Sequence, residues 1–460
     1  MKNVVLASLV TTTIAHAQPV EGEIEAEAPP VAEQPAPAPA PAPTPEVEPT
    51  PHETVKPPRK HHIRMALELA AIFTAGNRWY WRDNGKPNEV DWQLPFDGRA
   101  LEAKLLSTNG WRFDGNPYYI NALGHPGFGM LTHFLARENG YGIGEAFLIS
   151  TLASGTWEVF LEWQEYGSLN DLAMTSPAGI PLGETAYQII HHLRETSFEL
   201  RSGVGNDNGA TVGVIAARAD LDLIPTTGEG TFRGGRRVSL AAEMPFDDGV
   251  RGVEAGAKST IAGYYQNRDN HQLVAAVSTE LDYRNQFDRT ERPWDLLSTI
   301  AVGPSFDMRW RVGDVVVDTG ADLYADFALV KSQAFDSWRA DHAMETVRNV
   351  MQANEQPYYF AAGLSLDPRI NVAVGNYRAG AKLVGSLFES IDGADRDQEM
   401  MTADLHIRDY EGRAEAWFGY DLRGVSLLVD GRIDRRGGSL DGVRHAVDDR
   451  TVMATLGYRI

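Results

Sequence analysis

Cysteine is absent from the 460 residues. That excludes structural disulfides, thiolate metal sites, cysteine nucleophiles and lipid attachment through an N-terminal cysteine. After residue 17, no uncharged apolar run approaches the ~20 residues that a membrane-spanning helix needs. Basic residues are in short supply, with 42 Lys and Arg against 63 Asp and Glu and a formal net charge of −21. No basic stripe exists to neutralise phosphates, so nucleic acid is excluded as a partner. Also missing are a Gly-x-Ser-x-Gly elbow, a phosphate loop and a His-Glu-x-x-His pair. No organic cofactor is implied.

What is present begins with a short basic start, Met1-Lys2-Asn3, an apolar stretch from Val4 to Ile14, and Ala15-His16-Ala17. This pattern predicts a secretory signal peptide over 1–17. Residues 18–62 form a linker rich in Pro, Ala and Glu, which buries nothing and favours extended polyproline II at ~3.1 Å per residue. It is expected to lie in the periplasm as a spacer, with peptidoglycan or a periplasmic protein as its partner. Lys56, Arg59, Lys60, His61 and His62 close it, as a solvated end or a contact with anionic envelope polymer.

Past residue 195 the apolar period is two, the signature of pleated strands. Val315, Val317, Thr319, Ala321, Leu323, Ala325, Phe327 and Leu329 share one face, and Asp314, Asp318, Asp322 and Asp326 the other. The pattern recurs in 236–246, 272–285, 377–387 and 425–433. Carboxylates and arginines fill the polar face in strand after strand, as a wet lumen would. The four aspartates are therefore expected to face inward and Leu323 outward, with Asp322→Asn tolerated. Tyr265, Trp310, Trp417, Phe418 and Tyr420 are candidate interface aromatics. Turns are expected at 247–249, 267–270, 367–368, 411–412 and 435–438. The chain closes on Val452, Ala454, Leu456, Tyr458 and Ile460, alternating with polar or small residues. This end resembles the closing strand of bacterial outer-membrane barrels. The fold class expected is mainly β: an outer-membrane antiparallel β-barrel of about 12–14 strands over 196–460, with a preceding α-helical segment. Residues 63–114 are a lead-in, with Ile63–Phe73 as first strand if the count is fourteen.

Residues 115–195 differ in kind. Helix periodicity is plausible over 126–138, 143–165 and 181–195, with a proline-glycine turn before the last. Asn121, His125-Pro126, Gly129, Trp157-Glu158, Glu162, Ser168, Asn170-Asp171, Pro177, Gly179 and Gly183-Glu184 stand out as spaced polar and glycine positions. On these residues the stretch resembles a bacterial envelope family known only as a domain of unknown function, often preceding barrel strands. The resemblance covers about 80 residues and implies a Gram-negative outer-membrane protein without an established activity.

Within that stretch Ser154, Glu158, Glu162 and Glu165 lie one helical turn apart on one side. Such carboxylates are solvated, paired with Arg137, Arg194 or His125, or gathered with His125 and Asp171. The last arrangement makes His125, Glu158, Glu162 and Asp171 candidates for a divalent-cation, proton-transfer or acid–base site. Asn121, Pro126, Gly129, Ser168, Asn170, Gly179, Gly183 and Glu184 are read as structural.

Three roles are consistent with this. The first is an outer-membrane barrel serving envelope structure or binding, with the helical domain at its periplasmic mouth. The second is a cation-preferring channel or transporter for small solutes. The third is a lipid- or glycan-modifying enzyme using the helical segment. Outer-membrane lipid and the barrel-assembly machinery are the expected partners.

Overall fold

Alternating side chains pair into a ring of twelve antiparallel staves. In the computed structural model these are β1 (Ser197–Asp207), β2 (Ala210–Asp222), β3 (Gly228–Arg233 and Arg237–Phe246), β4 (Gly252–Arg268), β5 (His271–Phe287) and β6 (Pro293–Val312). The ring continues through β7 (Val315–Val330), β8 (Tyr359–Val374), β9 (Tyr377–Ser390), β10 (Ile407–Leu422), β11 (Val425–Leu440) and β12 (Val443–Arg459). Neighbours in sequence are neighbours in the sheet, and β12 pairs with β1 from Thr451↔Asp207 to Arg459↔Glu199, closing the barrel. Closure removes the open ends of the sheet; among the described residues only the short piece Gly228–Arg233 is paired on one side alone. The structure describes residues 59–84, 94, 97–113, 115–247, 252–287, 293–342, 350, 357–391 and 406–459. The expected signal peptide and nearly all of the proline-rich tract lie outside the described residues.

Both pieces of β3 pair with β4, the first against 262–267 and the second against 254–259, so they form one stave broken at Gly234-Gly235-Arg236. A register shift between Thr260 and Ala262 accompanies the break in β4.

One rim carries short turns and both ends of the barrel chain, Ser197 and Arg459; the other carries the long connections. Two-residue turns at Asn208-Gly209, Arg423-Gly424 and Asp441-Gly442 have positive φ at both positions (47 and 89, 50 and 84, 44 and 82 degrees). That is the type I′ geometry matching strand twist. It corrects the turns expected at 367–368, 411–412 and 435–438, which all lie inside strands β8, β10 and β11. Pro368 fits because only its pairing with β9 lapses, between Leu366↔Gly385 and Arg369↔Lys382.

Outward rows are apolar and open: Val302 and Phe306 on β6, Leu323 on β7, Leu364, Leu366 and Ile370 on β8, and Leu427, Val429 and Ile433 on β11 are exposed. Phe418 and Tyr420 face outward beside Tyr377, with ring centroids 6.1 and 5.0 Å from it. Trp417 and Tyr265, expected at the interface, lie inside the barrel instead. Trp417 lines the lumen over Gly380. Tyr265 lies beyond the register shift, which flips its parity, and packs inside with Phe232 and Val274.

The chain before the barrel is helical: α1 (His62–Asn84), α2 (Gly98–Leu106), α3 (His125–Glu138), α4 (Ile143–Thr156), α5 (Leu169–Ala178) and α6 (Thr185–His191). Ile63–Phe73, expected as a strand in a 14-stave count, is therefore part of a helix. π-helical turns at Ile120–Gly124, Trp157–Leu161 and Gly179–Glu184 join directly to α3, α4, α5 and α6. Residues 169–191 thus run helically through Pro177 and Pro181, where a proline-glycine turn was expected. A wider π turn accommodates backbone carbonyls that proline leaves unpaired.

The helices pack against the outer wall. Tyr118, Ala122, Met174 and Ala178 share a buried cluster with Leu281 and Tyr283 of β5, Leu296 and Ile300 of β6, Leu329 of β7 and Phe360 of β8. Each of these barrel residues belongs to an outward row. On β6 the row passes from exposed Phe306 and Val302 to Ile300, 6% exposed, and Leu296, 0% exposed, where helices cover it. Near the short-turn rim, Ile189 of α6 covers the outward Ala219, Leu221 and Val238. The helical segment therefore lies along the barrel side, which corrects its expected place at the periplasmic mouth. What enters the barrel is a seventh helix, α7 (Phe335–Asp341), from the β7–β8 connection. Phe335 and Trp338 pack inside the long-loop rim against Leu297, Ala328, Tyr359, Ala361, Phe388, Ile407 and Leu440.

Candidate functional site

The bundle is built around glycines and buried polar groups. A methyl group added at Gly129 would meet the Thr175 carbonyl oxygen at 1.7 Å; one at Gly183 would meet the Met130 oxygen at 2.8 Å, and one at Gly179 the Gly129 oxygen at 2.9 Å. These three positions let α3 and the Gly179–Glu184 turn approach backbone to backbone. Thr132 and Ser150 hydroxyls meet at 2.9 Å between α3 and α4. Asn121 donates to the Tyr358 hydroxyl at 2.9 Å, tying the bundle to β8 at the long-loop rim.

Glu184, completely buried, binds bundle and barrel together. Its Oε2 accepts from Arg137 Nε at 2.7 Å and faces His133 Nε2 at 3.4 Å. Its Oε1 accepts from Gln188 at 2.7 Å and from the Gly235 backbone N–H at 3.0 Å. Gly235 sits in the break of β3, so a carboxylate from the bundle satisfies a donor near the interruption. A Cβ at Gly235 would lie 2.6 Å from Glu184 Cγ. Arg137, one of the partners considered for Glu158 and Glu162, is thus committed to Glu184.

Of the four candidate site residues, His125 and Asp171 meet at the bundle's other end, and Glu158 and Glu162 make separate contacts nearby in the chain. His125 Nε2 is 3.2 Å from Asp171 Oδ1, which also accepts from Asn170 Nδ2 at 2.9 Å. Ser168 caps α5: its hydroxyl accepts from Asp171 N at 3.2 Å and donates to Asn170 Oδ1 at 2.9 Å. Glu158 Oε2 accepts from Ser168 N at 2.7 Å, and Glu162 Oε1 from the Trp157 indole at 2.8 Å. Lys104 Nζ reaches the carbonyl oxygens of Glu158 and Glu162 at 2.5 and 2.7 Å. Burial holds the Lys104 ammonium below the usual lysine range against the pull of Glu158, Glu162 and Glu165. Glu165, the outermost of the row, accepts from the Tyr80 hydroxyl at 2.7 Å. An imidazole–carboxylate pair such as His125–Asp171 can hold a proton. Among the described residues, no group of three or more His, Asp or Glu is placed to bind a metal ion.

The second site is the lumen, a cavity of about 2020 Å³ reaching from Glu195 and Arg459 at one rim to Asn208, Asp336 and His445 at the other. Of the aspartates expected inside, Asp318, Asp322 and Asp326 line it. Asp314 does not: it lies exposed in the Gly313-Asp314 turn, where the strand has ended. Asp322 receives Lys258 at 2.6 Å and the Arg369 guanidinium, which also holds Asp307; Asp307 in turn receives Arg237 at 2.7 Å. Two cations lean on that one carboxylate, so Asp322→Asn would leave both without their charge partner.

Towards the long-loop rim, side chains from nearly opposite staves meet. Arg432 (β11) reaches Glu254 (β4) at 2.9 Å, and Arg284 (β5) reaches Glu411 (β10) at 2.9 Å and Asp295 (β6) at 3.0 Å. Arg413 joins Asp434 at 2.6 Å and Glu254 at 3.5 Å; Arg436 pairs with Asp295. Together they make a charged bar across the lumen beneath α7. Sequence pattern misses Glu411 and Arg436, which it reads as turn residues, and carries no signal of which stave stands opposite another.

The family model for a domain of unknown function (DUF3943) matches residues 110–213, spanning the bundle from Gly110 into β2. No curated protein matches. Solved structures similar to this chain include the NanC porin, at 8% identity over 57% of this chain and 100% of that one, with a TM-score of 0.30. The KdgM porin covers 57% of this chain and 98% of its own at 10% identity and a TM-score of 0.24. OmpT of Vibrio cholerae covers 58% and 98% at 8% identity and a TM-score of 0.23. None of these is close enough to carry an activity across.

Proposed function

We propose that the protein is an outer-membrane pore that prefers cations and passes small hydrophilic solutes, narrowed by α7 and the charged bar. The observation that carries this reading is the lumen itself. It continues between both rims, and among the described residues its lining holds 19 Asp and Glu against 13 Lys and Arg. Excess carboxylate in a confined pore attracts cations and repels anions. The open apolar rows on the outer wall support insertion in a bilayer. Both ends of the barrel chain leave by the short-turn rim, and on this reading that rim faces the periplasm.

The test is planar-bilayer recording of refolded protein under a KCl gradient. A small ohmic conductance whose reversal potential favours K⁺ is expected. A second reading, a sealed barrel with a structural or binding role, is favoured by the bar of opposite-stave ion pairs. Absence of conductance both in the native chain and after removal of α7 would select it.

A further inference from the structure

We propose that the helical bundle itself lies in the hydrocarbon layer, its outward face in contact with lipid acyl chains. This rests on the membrane reading of the barrel but not on conduction.

The first ground is height. The outward rows buried by the helices are continuous with rows left open on the same staves: Leu296 and Ile300 with Val302 and Phe306, Leu329 with Leu323, Phe360 with Leu364. Whatever bathes Leu323 and Leu364 also surrounds the bundle. Helical residues 62–84, 120–138, 143–161 and 169–191 have lengths of about 28–34 Å at 1.5 Å per residue, close to the ~30 Å of a bilayer core.

The second ground is the outward face. Leu148, Leu152 and Phe160, at multiples of one helical turn, are exposed, as are Leu123, Met130 and Leu131 on the neighbouring run. Between Asn116 and Ala136, between Ala146 and Trp157, and between Leu172 and Gly183 there is no Asp, Glu, Lys or Arg. In water, such a surface on a bundle would be an adhesive patch.

The third ground is the interior, which is polar. Asn121, Thr132, His133, Ser150, Ser154, Asn170, Asp171, Thr175, Ser176 and Glu184 are all buried. Helices held by small residues and internal polar contacts, with apolar side chains outside, are organised for an apolar solvent. Among the described residues no single helix is long and apolar enough to cross a membrane. These helices enter the layer as a group, their polar sides closed against one another and the barrel wall.

Because the chain has no cysteine, single labels can be placed cleanly. Leu148→Cys and Leu152→Cys carry bimane in the full-length protein, with Leu364→Cys on the barrel belt and Asn208→Cys on a rim turn as references. Each is reconstituted in phosphatidylcholine vesicles with ordinary or mid-chain brominated acyl chains. Bromine should quench Leu148, Leu152 and Leu364 alike and leave Asn208 bright. Quenching at Leu364 with bright labels at both bundle sites overturns the inference while sparing the barrel reading. Bright labels at all three sites would instead overturn the membrane reading. Cross-linking between copies through Leu152→Cys in the vesicle, with quenching lost there, would assign the face to a second copy and also overturn it.

Discussion

Glu184 joins two structures that the sequence presents as separate. Replacing it by Ala leaves the Arg137 guanidinium without its carboxylate and the Gly235 N–H without its acceptor. Breaking a buried pair in this way costs ~3–5 kcal/mol. Denaturant titration of the refolded protein should show that loss, with the native chain's heat-modifiable gel migration disappearing first. Glu184→Gln keeps an acceptor for Gly235 and should lose less. Equal losses for the two variants would mean the hydrogen bond to the β3 break contributes little. Nearby, the glycines at 129, 179 and 183 belong to the spacing that marked this segment in the sequence. Their conformations are ordinary helical ones; contact between backbones is what requires them.

Among elements, β7 offers the sharpest contrast between faces. Leu323 is half exposed on the outer face, so Leu323→Arg should cost ~2–4 kcal/mol in a bilayer, read as a shifted folding midpoint in vesicles. α7 is the other element with a distinct prediction. Gln333 N and the Tyr359 hydroxyl both donate to Asp409, at 3.0 and 2.9 Å, anchoring the connection that carries it. Trp338→Ala should free α7 at a cost of ~3–5 kcal/mol, and single-channel conductance should rise. Unchanged conductance would place the constriction in the charged bar alone.

Strand faces were legible because a period of two survives any error in strand ends. Turn positions were less so. Asp434-Arg435-Arg436-Gly437-Gly438 has turn composition, yet Asp434 and Arg436 are buried inside the barrel, Arg435 is exposed outside it, and the glycines sit beneath Tyr410 and Asp409. The parity of Tyr265 was lost at the Thr260/Ala262 shift, where one extra residue exchanges inside for outside. In the helical segment the polar residues were recognised, but their side was not. Apolar faces such as Leu148-Leu152 read as core until the position of the wall is known. His125 and Asp171 were placed together from spacing; the Glu184–Gly235 contact crosses from one domain to another and had no local signal.

At the scale of the whole molecule, the polar interior of the bundle bears on delivery. A chain destined for the outer membrane must first pass through the cytoplasmic one, where sufficiently apolar helical segments are retained. Asp171 and Glu184 fall in 169–191, His125 and His133 in 120–138, and Glu158 in 143–161. On that route each run would be too polar to stop in transit, and on the proposed placement of the bundle it becomes lipid-compatible once folding buries these groups. Replacing Asp171, Glu184 and Gln188 together by Leu should trap the chain in cytoplasmic-membrane fractions, measurable by density-gradient separation. Passage of that variant to the outer membrane would show that its export does not depend on this hidden polarity.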